Sequence, residues 1–275
     1  MRSSVTSLLR GDWAYPEGNF SQRVNMDFRF SEQEKAWRKE VEDFLKKEIP
    51  AGWVEESLYW PAGYGTVPFF EAEYKTFCRQ LNHKLGEKGW LSLGWPGDKH
   101  SHVEEAIFND LTTYYRILTG DVATKIGAPT ILLFGSDEMK KEWVPRIARG
   151  EVSFWLAYSE PNAGSDLASL QTSAVEDGDD LILNGNKIWS SGAHISDYAW
   201  MVVRTDPKAT SRYQGITFVI VPNDTPGITI HPLVNICGIH SFNEVYFDNV
   251  RVPKKNIVGE MNQGWYYLMA ALGFE

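Results

Sequence analysis

Apolar residues recur at helical spacing through the first half of the chain. A capping-box sequence runs from Ser31 to Glu34. Apolar residues follow it at helical intervals, namely Trp37, Val41, Phe44 and Leu45. The same spacing returns over residues 70–85, 103–118 and 139–147, and Gly150 then supplies a stop signal. The pattern predicts an all-helical N-terminal domain over residues 27–150.

Two segments of this half show neither the helical nor the strand period. Residues 1–26 are punctuated by glycine, proline and asparagine, which predicts an irregular N-terminal arm. Residues 50–68 mix prolines and glycines with several aromatic rings, a combination typical of an ordered aromatic loop. Ordinary packing is the better interpretation of the rings between Trp53 and Phe70, and the lining of a ligand pocket is the alternative.

After Gly150 the hydrophobic pattern changes to period two or to short apolar runs. These runs cover residues 152–159, 181–183, 200–204, 216–221, 228–230 and 245–247. The pairs Asp177-Gly178 and Asn184-Gly185 are typical of turns between strands. Residues 151–262 are therefore predicted to form an antiparallel β-barrel or sandwich domain.

Helical spacing resumes near Gly264 and continues to the last residue. Its apolar positions are Trp265, Leu268, Met269 and Leu272. A helix of about three turns is marginal without neighbours to pack on, so we expect residues 263–275 to be only the start of a C-terminal helical bundle whose remainder is absent. The predicted fold class is α+β, with helices first, then the β domain, then this start of a bundle.

Composition narrows the class of protein. The chain has 275 residues, of which 43% are hydrophobic and 23% are charged, a mixture typical of a compact globular protein. Its 27 Lys and Arg against 36 Asp and Glu leave a net charge of −9, which argues against nucleic acid and anionic membranes as partners. The sequence has neither the roughly 18 apolar residues of a membrane span nor a secretory signal, so we expect a cytoplasmic protein.

The cysteines and histidines offer little chemistry. Cys78 and Cys237 lie far apart, with no Cys-x-x-Cys spacing, so we expect two reduced, structural thiols and no metal site. No histidine has a nucleophile partner at a recognisable spacing. His194, His231 and His240 are therefore interpreted as surface or hydrogen-bonded polar residues.

The densest chemical signal covers residues 158–166, where a predicted strand runs into a tight turn of small and hydroxyl side chains. Asn162 tolerates a left-handed backbone, and Gly164 lets a ligand approach the main chain, so the turn could receive a flat polar heterocycle and an adjoining phosphate. Trp189 and Ser191 follow about 25 residues later, a ring and a hydroxyl suited to stacking on a heterocycle and bonding one of its nitrogens. Individually, such serines are usually turn residues and such a tryptophan is usually core.

The spacing of several motifs together resembles the acyl-CoA dehydrogenase family. The motifs are Gly135-Ser136-Asp137-Glu138-Met139-Lys140 leading to Pro145, Ser159-Glu160-Pro161-Asn162-Ala163-Gly164-Ser165-Asp166, Asn184-Gly185-Asn186-Lys187-Ile188-Trp189-Ser190-Ser191-Gly192-Ala193, Phe247-Asp248-Asn249-Val250-Arg251-Val252-Pro253, Asn262-Gln263-Gly264-Trp265 and Leu272-Gly273-Phe274-Glu275. They span about residues 27–275 in the family's order. The resemblance implies a helical domain, a middle β domain and a C-terminal four-helix bundle, with FAD held between the last two.

The resemblance also implies roles for individual residues. Leu156, Tyr158 and Ser159 would meet the pyrimidine edge of the flavin through backbone and hydroxyl donors. The turn at Gly164 and Ser165 would contact the phosphate region of the cofactor, and Ser165 alternatively the pantetheine arm of the substrate. The Trp189 ring would lie on the isoalloxazine, and the Ser191 hydroxyl would face N5.

In one subgroup of the family, the glutamate at the position of Glu275 removes the α-proton of the acyl thioester; other members carry this base later in the bundle. Two departures from the family pattern are Asn162, where glycine is usual, and the arginine expected after Glu275, which is not in the sequence. The first is expected to be harmless, and the second leaves open whether Glu275 or a later residue is the base. A glutamate at a helix end is otherwise a solvated charge.

The activity implied is oxidation of an acyl-CoA to its trans-2-enoyl-CoA, with electrons passed from FAD to an electron-transfer flavoprotein, by a homodimer or homotetramer. An acyl-CoA oxidase or a flavin monooxygenase of the same fold is the nearest alternative. A non-catalytic flavin- or acyl-binding subunit is the alternative from another class. The sequence does not identify the acyl group.

Overall fold

The computed structural model describes residues 29–53 and 72–274, apart from 118, 237 and 239. The predicted arm, most of the predicted aromatic loop, Cys237 and Glu275 lie outside the described residues. Six α-helices occur in the described chain: α1 (Glu32–Glu48), α2 (Ala72–Glu87), α3 (His102–Tyr114), α4 (Ala128–Phe134), α5 (Asp137–Ala148) and α6 (Gly264–Leu272). Seven strands also occur in it: β1 (Phe154–Ala157), β2 (Ser173–Asp177), β3 (Asp180–Lys187), β4 (Tyr198–Arg204), β5 (Ile216–Pro222), β6 (Ile228–Val234) and β7 (His240–Pro253). The α+β fold class is confirmed.

Helix α1 begins as predicted. The Ser31 hydroxyl accepts from the Glu34 amide at 3.2 Å, and the Glu34 carboxylate accepts from the Ser31 amide at 2.7 Å, so both halves of the capping box form. Trp37 is buried against α3, where its indole N–H donates to the Glu104 carbonyl at 2.9 Å. Glu104 itself closes a second capping box with Ser101 at the start of α3.

Helix α4 is an element that the hydrophobic spacing did not predict. It follows a π-helical segment, Ala123–Gly127, and its first residues, from Ala128 to Ile131, are all buried. Every residue of the helix except Thr130 is apolar, including Leu133, which is 48% exposed, so its sequence lacks the amphipathic period. Asp121, just before it, accepts a hydrogen bond from the Phe154 amide at 3.0 Å and so joins this helical region to β1.

The seven strands form one curled, mixed sheet. Its order is β1-β4-β2-β3-β7-β6, with β5 pairing the other side of β4. The prediction of an antiparallel domain holds for most pairs, but β1 runs parallel to β4 and β2 meets β4 in one parallel pair. Adjacent residues on β4 enter the two cores on opposite faces of the sheet: Trp200 faces the helices and Met201 faces the inside of the curl.

The predicted turn at Asn184-Gly185 is wrong, whereas Asp177-Gly178 does lie between β2 and β3. Gly185 lies inside β3, where the pairing with β7 shifts register between Leu183 and Gly185. Its φ is 146°, and a Cβ there would stand 2.8 Å from the Thr172 Cα, so the position requires glycine. The dipeptide Asn-Gly suits both a hairpin turn and a bulge of this kind, so the sequence does not distinguish them. The prediction also missed β2, whose Val175 is 63% exposed and so shows no inward apolar alternation.

Helix α6 packs closely on β5. Its first residue lies so near β5 that a Cβ on Gly264 would be 2.7 Å from the Thr217 carbonyl carbon. Tyr267, Leu268 and Ala271 are buried, whereas Met269 and Leu272, predicted to share the apolar face, are 44% and 38% exposed. The buried face is thus rotated from the predicted one, because the close approach at Gly264 sets which side meets the sheet.

Substituting Gly185 with alanine tests the bulge. We expect Gly185→Ala to lower the free energy of unfolding of the intact protein by about 1–3 kcal/mol, because the new methyl overlaps Thr172. The matched control is Gly178→Ala, where φ is 61° and a Cβ meets nothing within 4 Å, so only the backbone penalty of about 1 kcal/mol applies. Urea denaturation measures both. Equal losses in the two variants would show that the close contact at Gly185 has no energetic weight.

Candidate functional site

The two candidate motifs meet at the ends of β1 and β3. The Ile188 amide donates to the Ser159 carbonyl at 2.9 Å, and the Lys187 ammonium donates to the Tyr158 carbonyl at 3.0 Å. In the sheet, β4 and β2 separate these two strands. The contacts beyond the strand ends therefore bring together residues that pairing within the sheet keeps apart.

A buried ion pair joins the two motifs. The Lys187 ammonium lies 2.8 Å from a Glu160 carboxylate oxygen, and the two side chains are 0% and 7% exposed. The same carboxylate accepts the amides of Gln171 at 2.6 Å and Thr172 at 2.9 Å. Every charge in the pair is thus satisfied by a partner, which a buried ion pair requires.

Burial and charge shift both pKa values. Burial raises the pKa of the Glu160 carboxyl, but the Lys187 charge and the hydrogen bonds outweigh burial and hold the pKa below its usual range. Burial lowers the pKa of Lys187 to about 8, opposed by the Glu160 charge. One feature of the sequence indicates this buried lysine. Lys187 falls at an inward-facing position of β3, as Leu181 and Leu183 do.

Main-chain hydrogen bonds close the turn after β1. Its backbone is closed by reciprocal hydrogen bonds between Glu160 and Ala163, at 2.9 and 3.0 Å. Asn162 is not among the described residues with positive φ, so the left-handed backbone that asparagine tolerates is not adopted there. Gly164 is exposed, and a Cβ there would meet nothing within 4 Å, which leaves the main chain open to a ligand.

The Trp189 side chain stands out from the protein in an uncommon backbone conformation. It is 61% exposed, its φ is 59°, and the edge of its ring meets Phe242 at a centroid distance of 5.9 Å. Ser191 is exposed beside it, whereas Ser190 between them is buried. A large ring and a hydroxyl are therefore presented together on one turn.

The other predicted cofactor residues differ in burial and in hydrogen bonding. Leu156 is half-buried, and its side chain packs against the core facing the helices. Ser165 is exposed on the turn that precedes the ion pair of Asp166 with Arg212, at 2.8 Å. The side-chain hydroxyls of Ser159, Ser165 and Ser191 have no hydrogen-bond partner among the described residues.

Sequence reasoning missed the support beneath Trp189. Asn243 on β7 is fully buried and bonds to Ser190, His194 and His240. No motif or spacing connects residue 243 with residue 190, so only the folded chain reveals this contact. His194 and His240 are hydrogen-bonded polar residues, as predicted.

A cavity of about 390 Å³ lies among the helices and reaches Phe274. Its lining includes Trp90, Phe108, Thr112, Thr119, Thr124 and Phe274. None of the predicted cofactor residues lines it. The predicted base, Glu275, lies outside the described residues but is bonded to Phe274 in the chain.

The described residues contain neither a metal-binding cluster nor a membrane-spanning helix. No cluster of three His, Cys, Asp or Glu side chains that could hold a metal ion occurs among them. Within the same residues, no helix is long and apolar enough to cross a membrane. Cys78, on α2, is buried.

Removing the Lys187 charge tests the ion pair. We expect Lys187→Met to lower the free energy of unfolding by about 3–5 kcal/mol at neutral pH, because the Glu160 carboxylate stays buried without its cation. The pKa of Glu160 then rises above its unfolded value, so the loss disappears below about pH 4 and grows as the pH rises through the new pKa. Urea denaturation from pH 4 to 8 measures this slope.

Two variants control that experiment. The exposed Lys208 serves as the matched control, and Lys208→Met should leave stability unchanged. Adding Glu160→Gln to Lys187→Met should remove the pH dependence. A Lys187→Met protein as stable as the parent at every pH would contradict the argument.

Comparisons with known proteins agree with this geometry. The family profile "Acyl-CoA dehydrogenase, N-terminal domain" matches residues 31–151, and "Acyl-CoA dehydrogenase, middle domain" matches residues 156–250. Acyl-CoA dehydrogenase FadE26 of Mycobacterium tuberculosis is 39% identical over 203 residues, which are 72% of this chain and 50% of that protein. The chain spans about half the length of the curated relatives it matches.

Solved structures show the same likeness. The Tcur3481-Tcur3483 steroid ACAD has a TM-score of 0.78 at 33% identity, covering 90% of this chain and 62% of that one. The ChsE4-ChsE5 complex from Mycobacterium tuberculosis has a TM-score of 0.76 at 34% identity, covering 91% and 62%. With both family profiles matching in order along the same fold, this chain belongs to the acyl-CoA dehydrogenase family.

Proposed function

We propose that the intact protein is an FAD-dependent acyl-CoA dehydrogenase that converts an acyl-CoA thioester to the trans-2-enoyl-CoA. The observation that carries the proposal is the junction of the two motifs. Hydrogen bonds from Lys187 and Ile188 hold the end of β1 beside the exposed Trp189 ring. This junction places the flat Trp189 ring and the hydroxyls of Ser159 and Ser191 on neighbouring segments, as a flavin requires.

The residues present fit FAD in three respects. Trp189 offers a ring face outside the core, the hydroxyls of Ser159 and Ser191 are not engaged by described residues, and the main chain at Gly164 is open. We assign Leu156, Tyr158 and Ser159 to the pyrimidine edge, and Gly164 and Ser165 to the phosphate region. When bound, FAD supplies the acceptor for the hydride that leaves the β-carbon.

Each of these residues has a physical task. Donors from Tyr158 and Ser159 stabilise the negative charge that develops at the pyrimidine edge on reduction, and they do so best because the ion pair beneath them fixes their backbone. The Trp189 face orients the ring system, and the Ser191 hydroxyl donates near the atom that receives the hydride. Ser165 alternatively binds the pantetheine arm of the substrate.

We propose Glu275 as the base that takes the α-proton. This carboxylate would take the proton of the Cα–H bond, whose electron pair becomes the second bond between Cα and Cβ, while bound FAD would supply the acceptor for the hydride from Cβ. The cavity reaching Phe274 supports this role, because it lies beside the residue bonded to Glu275. The same cavity offers space for an acyl group.

The partners follow from the same proposal. We propose that an electron-transfer flavoprotein would reoxidise the cofactor, and that the protein assembles as a homodimer or homotetramer. The half-exposed side chains of Tyr266, Met269 and Leu272 on α6 give an apolar face for helical neighbours. A similar structure is a complex of two named chains, so subunit composition must be measured together with activity.

Flavin binding and reduction test the proposal directly. The intact protein should release FAD on heating, and its flavin absorbance should bleach anaerobically when acyl-CoA is added. The panel should pair straight-chain acyl-CoAs with a steroid-type CoA thioester, since a similar structure is described as a steroid ACAD. If the protein binds no flavin after incubation with excess FAD, the proposal is refuted. If it binds flavin that no acyl-CoA bleaches, a non-catalytic subunit is favoured. If it produces peroxide steadily in air, an oxidase is favoured.

Ser191→Ala tests the proposed contact at N5. Losing one hydroxyl hydrogen bond of about 1 kcal/mol should lower the rate of flavin reduction about fivefold. The melting temperature should stay nearly unchanged, because the hydroxyl bonds to no described residue. The control is Ser92→Ala, which removes a hydroxyl bonded to the Gly89 carbonyl within the helical domain and should leave reduction unaltered. Stopped-flow absorbance measures the rates, and equal rates in parent and Ser191→Ala would reject the placement.

Glu275→Gln tests the base. The amide keeps the shape of the side chain but cannot accept the α-proton, so bleaching by acyl-CoA should be abolished while flavin content stays normal. The control is Glu138→Gln, an exposed residue in the first turn of α5, and its flavin should bleach as in the parent. Full activity in Glu275→Gln would show that another residue is the base, without contradicting the rest of the proposal.

A further inference from the structure

The backbone of Ser190 is clamped by one residue. The Ser190 amide donates to the Asn243 carbonyl at 3.0 Å, and the Ser190 carbonyl accepts from the Asn243 side-chain amide at 2.9 Å. Asn243 on β7 therefore bonds to both main-chain polar groups of Ser190, and the Ala193 amide adds a longer bond of 3.4 Å to the same carbonyl. Ser190 lies between Trp189 and Ser191, so the clamp acts at the centre of the turn that presents them.

The turn needs such support because Trp189 is held at a positive φ of 59°. A left-handed conformation costs a non-glycine residue about 1 kcal/mol or more, and it persists only where neighbouring contacts over-determine it. The Trp189 side chain is mostly exposed and its ring edge touches Phe242, so packing of the side chain supplies little of that restraint. The restraint comes from the backbone bonds on either side, at Ile188 and at Ser190.

Two histidines orient the clamp. The Asn243 Nδ2 donates to His194 Nδ1 at 3.0 Å, and the His240 Nε2 donates to the Asn243 Oδ1 at 2.7 Å. This pattern requires Nδ1 of His194 without a proton and Nε2 of His240 with one. The two imidazole rings stack at a centroid distance of 4.0 Å, so each limits the movement of the other.

Neighbouring charged groups are engaged elsewhere. The Glu244 carboxylate accepts from the Asn186 amide at 2.9 Å, and the Asp197 carboxylate accepts from the Ser153 hydroxyl at 2.7 Å. His231 on β6 faces the Tyr246 ring. The orientation of the Asn243 amide is thus set by the imidazoles and by Ser190.

We propose that Asn243, oriented by His194 and His240, is a positioning residue that fixes the Trp189–Ser191 turn in the geometry needed for hydride transfer to the flavin. This inference rests on the proposed function. Asn243 acts through the backbone of Ser190 and through no contact with substrate. Its loss should therefore displace the Trp189 ring and the Ser191 hydroxyl together, without removing either.

The test compares Asn243→Asp with the parent as intact holoenzyme. A carboxylate has the same shape but cannot donate to the Ser190 carbonyl or to His194. The expected results are a reduction rate at saturating acyl-CoA lowered about tenfold, an altered visible circular dichroism of the bound flavin, and faster amide hydrogen exchange in residues 188–192. Flavin content and the KM for acyl-CoA should change by less than about twofold, since the binding contacts of the substrate remain.

Two matched pairs separate positioning from simple damage to the fold. His194→Asn keeps an acceptor near the place of Nδ1 and His240→Gln keeps a donor near the place of Nε2, whereas His194→Leu and His240→Leu keep neither. In the two conservative variants, the rates of flavin reduction and of amide hydrogen exchange should equal those of the parent. The two leucine variants should behave like Asn243→Asp. These pairs carry the test if Asn243→Asp does not fold.

The outcomes are distinct from those that test the proposed function. Parent-like exchange and reduction rates in Asn243→Asp and both leucine variants would overturn the clamp. Equal damage in the conservative and leucine variants would also overturn it, because hydrogen bonding would then not be the cause. If the parent binds no flavin, the proposed function fails. In that case the hydrogen-exchange comparison alone decides whether Asn243 clamps the turn.

Discussion

The buried ion pair between Glu160 and Lys187 is the interaction on which the candidate site depends. It ties the turn after β1 to the end of β3, two segments that the order of strands in the sheet keeps apart. Two backbone amides complete the environment of the carboxylate. Replacing a buried ion pair by apolar residues often costs little, so the value of this pair lies in the geometry that it specifies.

A second buried polar interaction fixes the geometry of the turn that presents Trp189. Asn243 bonds to the main-chain N–H and C=O of Ser190, and two histidines fix the direction of its amide. Buried polar networks of this kind allow few alternative arrangements, because each unsatisfied group costs free energy. Trp189 can therefore be exposed and conformationally strained and still be held in place.

The sequence by itself determined the features that local chemistry controls. The Ser31 and Glu34 capping box starts α1 because its partners are three residues apart, and the helical period located α2, α3 and α5. Spacing along the chain also identified the family and both motifs of the site. The roles of Tyr158, Ser165 and Glu275 remain predictions from that resemblance.

Only the tertiary structure decided the features that depend on distant partners. Asn184-Gly185 suits a turn or a bulge equally, and the Thr172 backbone excludes a side chain there. Helix α4 is apolar at every position except Thr130, so no amphipathic period marks it in the sequence. Asn243 lies far along the chain from Ser190, and hydrogen bonds between strands far apart in sequence leave no period to detect. The sequence thus shows which groups are present, while the folded chain decides which of them meet.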